Sequence, residues 1–533
     1  MHFSCEERAV SEYGTKKAMR RIFLIPFLAN LAYQATALEP YTGLPPILPP
    51  RFPFGFGKDV TGSGRPNKTN TYLVENMLDL RTVLSMTGPR TVYVKGEIFG
   101  NQVNETYSAD CQWYIENSNV KQFNFTLYVQ SLNATYVAEV KVAAAANEII
   151  DGRNATELAA LLPRMNGWRG TAQNSQKGYE TINVKGNLTL IGWDRDAYLR
   201  GVGLIFNVQS NVIIRNLRMS SPRDCFPAPE TYPGSWNARY DAVSAVTTTG
   251  MWLDGNIFED GPSFVSPDPF LNGWLVDRYD GLFDVEDGSN NITFSHNIVA
   301  NHHKSLLWGG GEKEGPRDIG KMHFTVFGNH FQNSMSRNPL MRFGTFYIIN
   351  NLFENYNNKK PIFTKAAKKA RHRRDDYLPS FEYNMGIYNM SNVLVSGNAF
   401  RQTGTYPNDT SRIFTFNNLL TPNTPAHFCS PPDLSVAQLI KPGGLRLANL
   451  AIPKSKFNGD KINLADNVSD LLEYRLSTKS SSVVEDGLLI QDCSGFKPQL
   501  MPLLFTDASQ VESYRQLSMA VKYKPDTAIN APD

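Results

Sequence analysis

The chain has 533 residues, enough to bury a large core as one extended domain or as two to three ordinary ones. Charged residues make up 19%, while Gly (39), Pro (32), Tyr (23) and Phe (31) are plentiful, a mix that suits short strands and turns better than long solvated helices. A formal net charge of +3 argues against a nucleic-acid partner and requires any polyanion to be gripped locally.

Near the N-terminus, Arg20 and Arg21 precede the apolar run "IFLIPFLANLAY", and "ATA" at 35–37 places small residues at a cleavage site. This pattern predicts a secretory signal over 1–37, with Met19 as an alternative start, and the run is too short to span a bilayer. The expectation is a secreted, extracellular protein with no membrane attachment after cleavage. Ten sequons, with acceptors Asn67, Asn104, Asn124, Asn133, Asn154, Asn187, Asn291, Asn389, Asn408 and Asn467, agree with a glycoprotein. Cys111, Cys225, Cys429 and Cys493 lack metal-ligand spacing and read as disulfide partners, with Cys429–Cys493 the favoured pair among three possible arrangements.

The first helical pattern is "NMLDLRTVLSM" at 76–86, followed by a strand at 89–98, and a second helix is expected at 155–165. From about residue 180 a motif recurs: a run of β-formers, then Asn, any residue, and a large apolar residue. Its asparagines are Asn216, Asn256, Asn297, Asn329, Asn351 and Asn398, separated by 40, 41, 32, 22 and 47 residues. A constant minimum with variable additions predicts a solenoid whose coils carry loops of unequal length. Asn tolerates the left-handed backbone and would turn the same corner of each coil, with the apolar residue stacked inward. The competing arrangement is a β-sandwich with Asn-rich hairpins, but sandwich turns favour Asn-Gly, and here the order is Gly-Asn.

The fold class expected is therefore all-β: a right-handed parallel β-helix over 38–402, with the first helix capping its open end. A loop-rich C-terminal extension is expected over 403–533, including a helix at 511–523. The basic run "KAAKKARHRRDD" at 365–376 reads as an inserted, solvated loop.

Chemistry concentrates in two places. Asp241, Asp280 and Asp284 would converge from successive coils, Asp284 returning to the face of Asp280 by the even period of a strand. Converging carboxylates need a cation, and Ca²⁺ accepts such hard oxygens with places left for a ligand; the alternative is pairing with Arg278 or Lys304. In "SMSRNPLMRFG", Arg337 and Arg342 have no acid within the segment and await an anion.

Four blocks carry a family resemblance: "SNVIIRNL", "WNARYDAV…MWLDGNIFEDG", "YDGLFDVEDGSNNITFSHNIVANHHKSLLWG" and "RDIGKMHFTVFGNHFQNSMSRNPLMRFGTFYIINNLFEN". They resemble the pectate lyases of polysaccharide lyase family 1 over about residues 73–402. The resemblance implies cleavage of α-1,4-polygalacturonate (pectate) by β-elimination in a monomer that uses Ca²⁺. It places Asp241, Asp280 and Asp284 as metal ligands, Lys304 and Arg342 as substrate-binding residues, and Arg337 as catalytic. A guanidinium is a weak base, so the expectation is that Arg342, Lys304 and Ca²⁺ favour its neutral form by like-charge repulsion, with a purely electrostatic role as the alternative. Arg239 stands where relatives carry an acid or amide, which would weaken the metal or favour methylated substrate. Trp308 and "GGGEKEG" replace the usual "IGSSD" and are expected to alter the subsite beside Lys304. The competing functions are a metal-free pectin lyase on methyl-esterified chains, a galacturonase, whose "NTD", "GHG" and "RIK" signatures are absent, and an inert carbohydrate-binding β-helix.

Overall fold

The computed structural model describes residues 38–46, 52–229, 236–260, 270–271, 274–349, 351–358, 381–396, 398–406, 412, 414–416, 427–429, 435–441 and 444–451. The expected signal, the basic run, the helix at 511–523 and Cys493 lie outside this set. Ten strands, from Thr71–Val74 to His427–Cys429, form one sheet. Eight from Glu97–Phe99 to Ala399–Thr403 form a second, and eight from Thr181–Asn183 to Phe414–Phe416 a third. Neighbours in all three pair in parallel, and each coil gives one strand to each sheet, as Phe283–Glu286, Asn290–Ser295 and Ile298–Lys304 do. This is the right-handed parallel β-helix. Strands Phe414–Phe416 and His427–Cys429 continue two of the sheets past residue 402.

The interior is built from registered stacks. Met219, Phe258, Val299, Phe331 and Phe353 are successive partners in the second sheet and are all buried; the Phe331 and Phe353 rings are stacked 4.7 Å apart and nearly parallel. In the third sheet Ala245, Val285, Trp308, Met341 and Ile387 do the same. Trp308 is thus core, stacked 4.5 Å from Phe324, so of the two replacements expected to alter the subsite its side chain acts through the interior and only the following loop lies outside.

The Asn corner exists, but by a different device from the one expected. Asn256, Asn297, Asn329, Asn351 and Asn398 form a buried ladder in which each Nδ2 donates to the next Oδ1 at 2.9–3.1 Å. The left-handed conformation falls on the residue before, at Gly255, His296 and Gly328, with φ of 67°, 53° and 64°. Asn216 takes φ 53° itself because it is one place out of register: it aligns with Gly255, and Leu217 N donates to Asn256 Oδ1. The side-chain amide, and not the turn tolerance of Asn, fixes the residue type.

The first helix, Met77–Ser85, is capped by Asn76, whose side chain accepts from Asp79 N, and it packs on the opening strands of two sheets. Arg90, buried, donates to Val83 O and Leu84 O and so satisfies that helix's last carbonyls. The second expected helix falls on Ala155–Leu161, the fourth of five in a larger helical insertion comprising Cys111–Glu116, Phe125–Ser131, Ala134–Ala145, Ala155–Leu161 and Met165–Glu180. Asn124, Asn133 and Asn154, noted only as sequons, are N-caps here. The Cys111–Cys225 disulfide ties this insertion to the β-helix.

Candidate active site

The site lies on the outer face of the third sheet and the turns entering it. Val243 pairs with Phe283, which sets Gly281, and not Asp280, opposite Asp241; Gly281 N donates to Asp241 Oδ1 at 3.0 Å. Strand Phe283–Glu286 alternates Phe283 and Val285 inward, which turns Asp284 and Glu286 outward. Asp280 precedes that strand, so its proximity comes from the turn and not from strand period. Leu307 N donates to Asp284 Oδ1 at 3.0 Å, so Asp241 and Asp284 each have one oxygen held by backbone.

The carboxylates do converge electrostatically. Burial, then Asp284, Asp280 and Glu286, push the Asp241 carboxyl well above its ordinary range. Burial and Asp280 push Asp284 up to about 8. Among the described residues, however, no three acidic, His or Cys side chains are drawn together as a metal cage. Without a cation two of them are pushed toward the protonated form, and the third is committed elsewhere: Asp280 Oδ1 lies 3.1 Å from Lys304 Nζ. Hard, partly unsatisfied oxygens are the donor chemistry Ca²⁺ accepts, and the fit holds at that level.

Lys304 is more heavily engaged than expected. It bonds Asn237 and Asp280 and approaches Asp277 at 3.3 Å. Burial opposes its charge, but Asp277 and Asp280 outweigh burial and hold its ammonium above the usual range. Asp277 also accepts from His303 Nδ1 at 2.9 Å, and burial of His303 is overcome by that contact, which raises the imidazole to about 9. His302 pairs with Asp260 in the wall. Neither Asp277 nor Glu286 was singled out in the sequence; both lie in "VDRYDGLFDVE", where acids are too dense for spacing alone to rank them.

Arg337 follows strand His330–Ser336 one coil along, with Leu306 N donating to its carbonyl at 2.9 Å. Its φ of 59° is uncommon for a long side chain and marks a position held by its surroundings. Among the described residues its guanidinium has no hydrogen-bond or ion-pair partner, yet its charge is favoured: burial opposes it, while Asp284, Tyr383, Asp280 and Asp277 more than compensate. The expectation of a neutral Arg337 counted Ca²⁺ among its neighbours as well as Arg342 and Lys304. Without a cation the carboxylates dominate its field.

Arg342 departs further. Its Nε is 3.0 Å from Glu312 Oε1, its Nη1 donates to Gly309 O at 2.7 Å, and its guanidinium lies over the Tyr388 ring at 5.1 Å. The missing counter-anion of Arg342 is therefore inside the chain. Arg239 is exposed and donates to Asn174 Oδ1 at 2.7 Å on helix Met165–Glu180, which turns it toward the insertion. Arg278 donates to the carbonyls of Asp224 and Cys225, away from the Asp trio.

The third sheet thus brings together, on its outer face, the carboxylates of Asp241, Asp280 and Asp284, Lys304, and Arg337, which has no hydrogen-bond or ion-pair partner among the described residues. A family model described as pectate lyase matches residues 130–430. Pectate lyase of Bacillus subtilis is 26% identical over 306 residues, 56% of this chain and 67% of that protein. Pectate lyase A of Dickeya chrysanthemi is 30% identical over 229 residues, 42% of this chain and 54% of that protein, so this match spans about half of the relative's length. Among solved structures, a pectate lyase bound to hexasaccharide superposes with TM-score 0.58 at 21% identity, covering 79% of this chain and 96% of that one, a likeness of fold. The chain belongs to the pectate lyase family, whose members are polysaccharide lyases.

Proposed function

We propose that the protein is a secreted pectate lyase that cleaves α-1,4-polygalacturonate by β-elimination with Ca²⁺ as cofactor. The observation that carries this reading is Arg337: mostly buried, without a partner among the described residues, and facing acids that have no full set of counter-charges. Asp241, Asp280 and Asp284 would hold the cation, which when bound supplies Lewis-acid stabilisation to the uronate carboxylate.

The remaining steps belong to the chain. Lys304, held by Asp277 and Asp280, presents a charged ammonium to a second uronate oxygen. The C5 proton is acidified by the neighbouring carboxylate and passes to Arg337 in its neutral form. The acids that now favour the charged guanidinium are those a cation would neutralise, so cation binding shifts this balance toward the neutral base. The C5–H electrons form the C4–C5 double bond, the C4–O bond breaks, and water protonates the leaving oxygen. Secretion is supported by the Cys111–Cys225 disulfide, which suits an oxidising compartment, and among the described residues no helix is long and apolar enough to cross a membrane.

The test is the ultraviolet absorbance of unsaturated product from polygalacturonate, with Ca²⁺ and with chelator. Product that depends on Ca²⁺ is expected. Undiminished product in chelator removes the cofactor assignment, and no product from pectate or pectin removes the lyase assignment.

A further inference from the structure

Glu312 sits in the loop after Trp308, and three features show that it is placed there by construction. Gly309, at φ 92°, lies so close to Arg342 that a Cβ would meet Arg342 Cβ at 2.7 Å; at Gly310 a Cβ would meet Glu286 Oε1 at 2.6 Å. The glycines thus let the loop lie directly against two charged side chains. The loop's far end is fastened: Arg317 pairs with Glu314 and lies 2.9 Å from Asp287, and Asp318 Oδ1 accepts from Gly288 N at 2.6 Å. Between these anchors Glu312 meets Arg342 at 3.0 Å, with the side chains 31% and 12% exposed.

The consequence is chemical. A guanidinium whose Nε is paired with a carboxylate, whose Nη1 is bonded to Gly309 O and whose face is stacked on Tyr388 has little net charge to offer another carboxylate, although N–H donors remain for a neutral oxygen. Arg337 keeps its charge unspent within the same cleft, since Tyr383 and Tyr388 each lie in the field of both arginines. We infer that Glu312 makes the Arg342 subsite neutral, so that it takes a methyl-esterified galacturonate while the Arg337 side takes the free acid, and the substrate class is partially esterified pectin. This inference rests on the reading of the site as a galacturonan cleft.

The experiment is binding, which does not require turnover. Trigalacturonate and its mono-methyl esters are titrated calorimetrically at fixed Ca²⁺ into the wild type, Glu312→Gln and the double variant Glu312→Gln/Arg342→Gln, each carried in the Arg337→Lys background so that the ligand is not turned over. The wild type is expected to bind the ester at least as tightly as the acid. Glu312→Gln is expected to tighten the acid about five- to tenfold and leave the ester within about twofold, as release of one partly buried ion pair implies. The gain should vanish in the double variant. A wild type that prefers the acid more than about tenfold, an unchanged acid affinity in a folded Glu312→Gln, or a gain that survives loss of Arg342 would each overturn the inference. Absence of unsaturated product would sink the lyase reading while leaving this comparison readable.

Discussion

Asn297 and Asp284 belong to the same coil, in opposite circumstances. Asn297 is buried with its amide satisfied: Oδ1 accepts from Asn256 N and Nδ2, and Nδ2 donates to Leu253 O and Asn329 Oδ1. Asp284 accepts from Leu307 N and otherwise faces Asp280, Glu286 and Arg337. One side of the coil closes its polar groups on itself and is a scaffold. The other gathers carboxyls with too little counter-charge to ionise them fully, and that counter-charge has to come from a ligand. Both sides bury polar atoms, so burial alone does not separate structure from function; completeness of pairing does.

The comparison can be broken at either side. The largest effect is expected for Arg337→Lys, which keeps a charge but changes its shape: turnover on polygalacturonate should fall by about a thousandfold or more, with Ca²⁺ binding by calorimetry unaffected. Residual activity near wild type would show that any cation suffices there. Next, Asn329→Ala removes a rung and leaves neighbouring donors buried without acceptors, so urea unfolding should show a loss of about 2–4 kcal/mol with activity per folded molecule retained.

Asp284 supplies the third test, through pH. Its folded carboxyl titrates at about 8, raised by burial and Asp280, against about 4 in an unfolded chain. The folded form therefore holds a proton that the unfolded chain has released, and the chelated protein should lose stability as pH rises from about 4 to 8. Asp284→Asn should flatten that slope, stabilise the chelated protein near pH 8 by about 1 kcal/mol, and abolish the response of its melting temperature to Ca²⁺. Smallest of all, Arg239→Ala should change turnover less than about twofold, because the side chain is exposed and turned to Asn174; a tenfold gain would return it to the metal site.

What could be read from residues follows the same division. The Asn repeat and its inward Phe stack were visible because every coil restates them, and the parallel sheets followed. The rung geometry was not, since spacing shows where Asn recurs and not whether its backbone or its amide is used. Helices between Cys111 and Ala145 were missed because their caps, Asn124 and Asn133, also satisfy a sequon and their apolar faces are short. At the site, resemblance named the Asp trio, Lys304 and both arginines. It could not foresee that Lys304 is shared among three acceptors or that Glu312, thirty residues from Arg342, faces it, because those contacts join separate turns.

The rungs of the Asn corner all point one way. Each amide-to-amide bond runs toward the C-terminal coil, the series opening where Leu217 N meets Asn256 and running on to Asn398, while the second N–H of each Nδ2 returns to a backbone carbonyl of the coil before. The column is vectorial, like a row of magnets laid head to tail. A coil lifted from the middle and reinserted elsewhere would still find a matching neighbour on each side, whatever the length of its loops. Such a scaffold is modular along its axis, and the loops between coils can vary in length without re-solving the core.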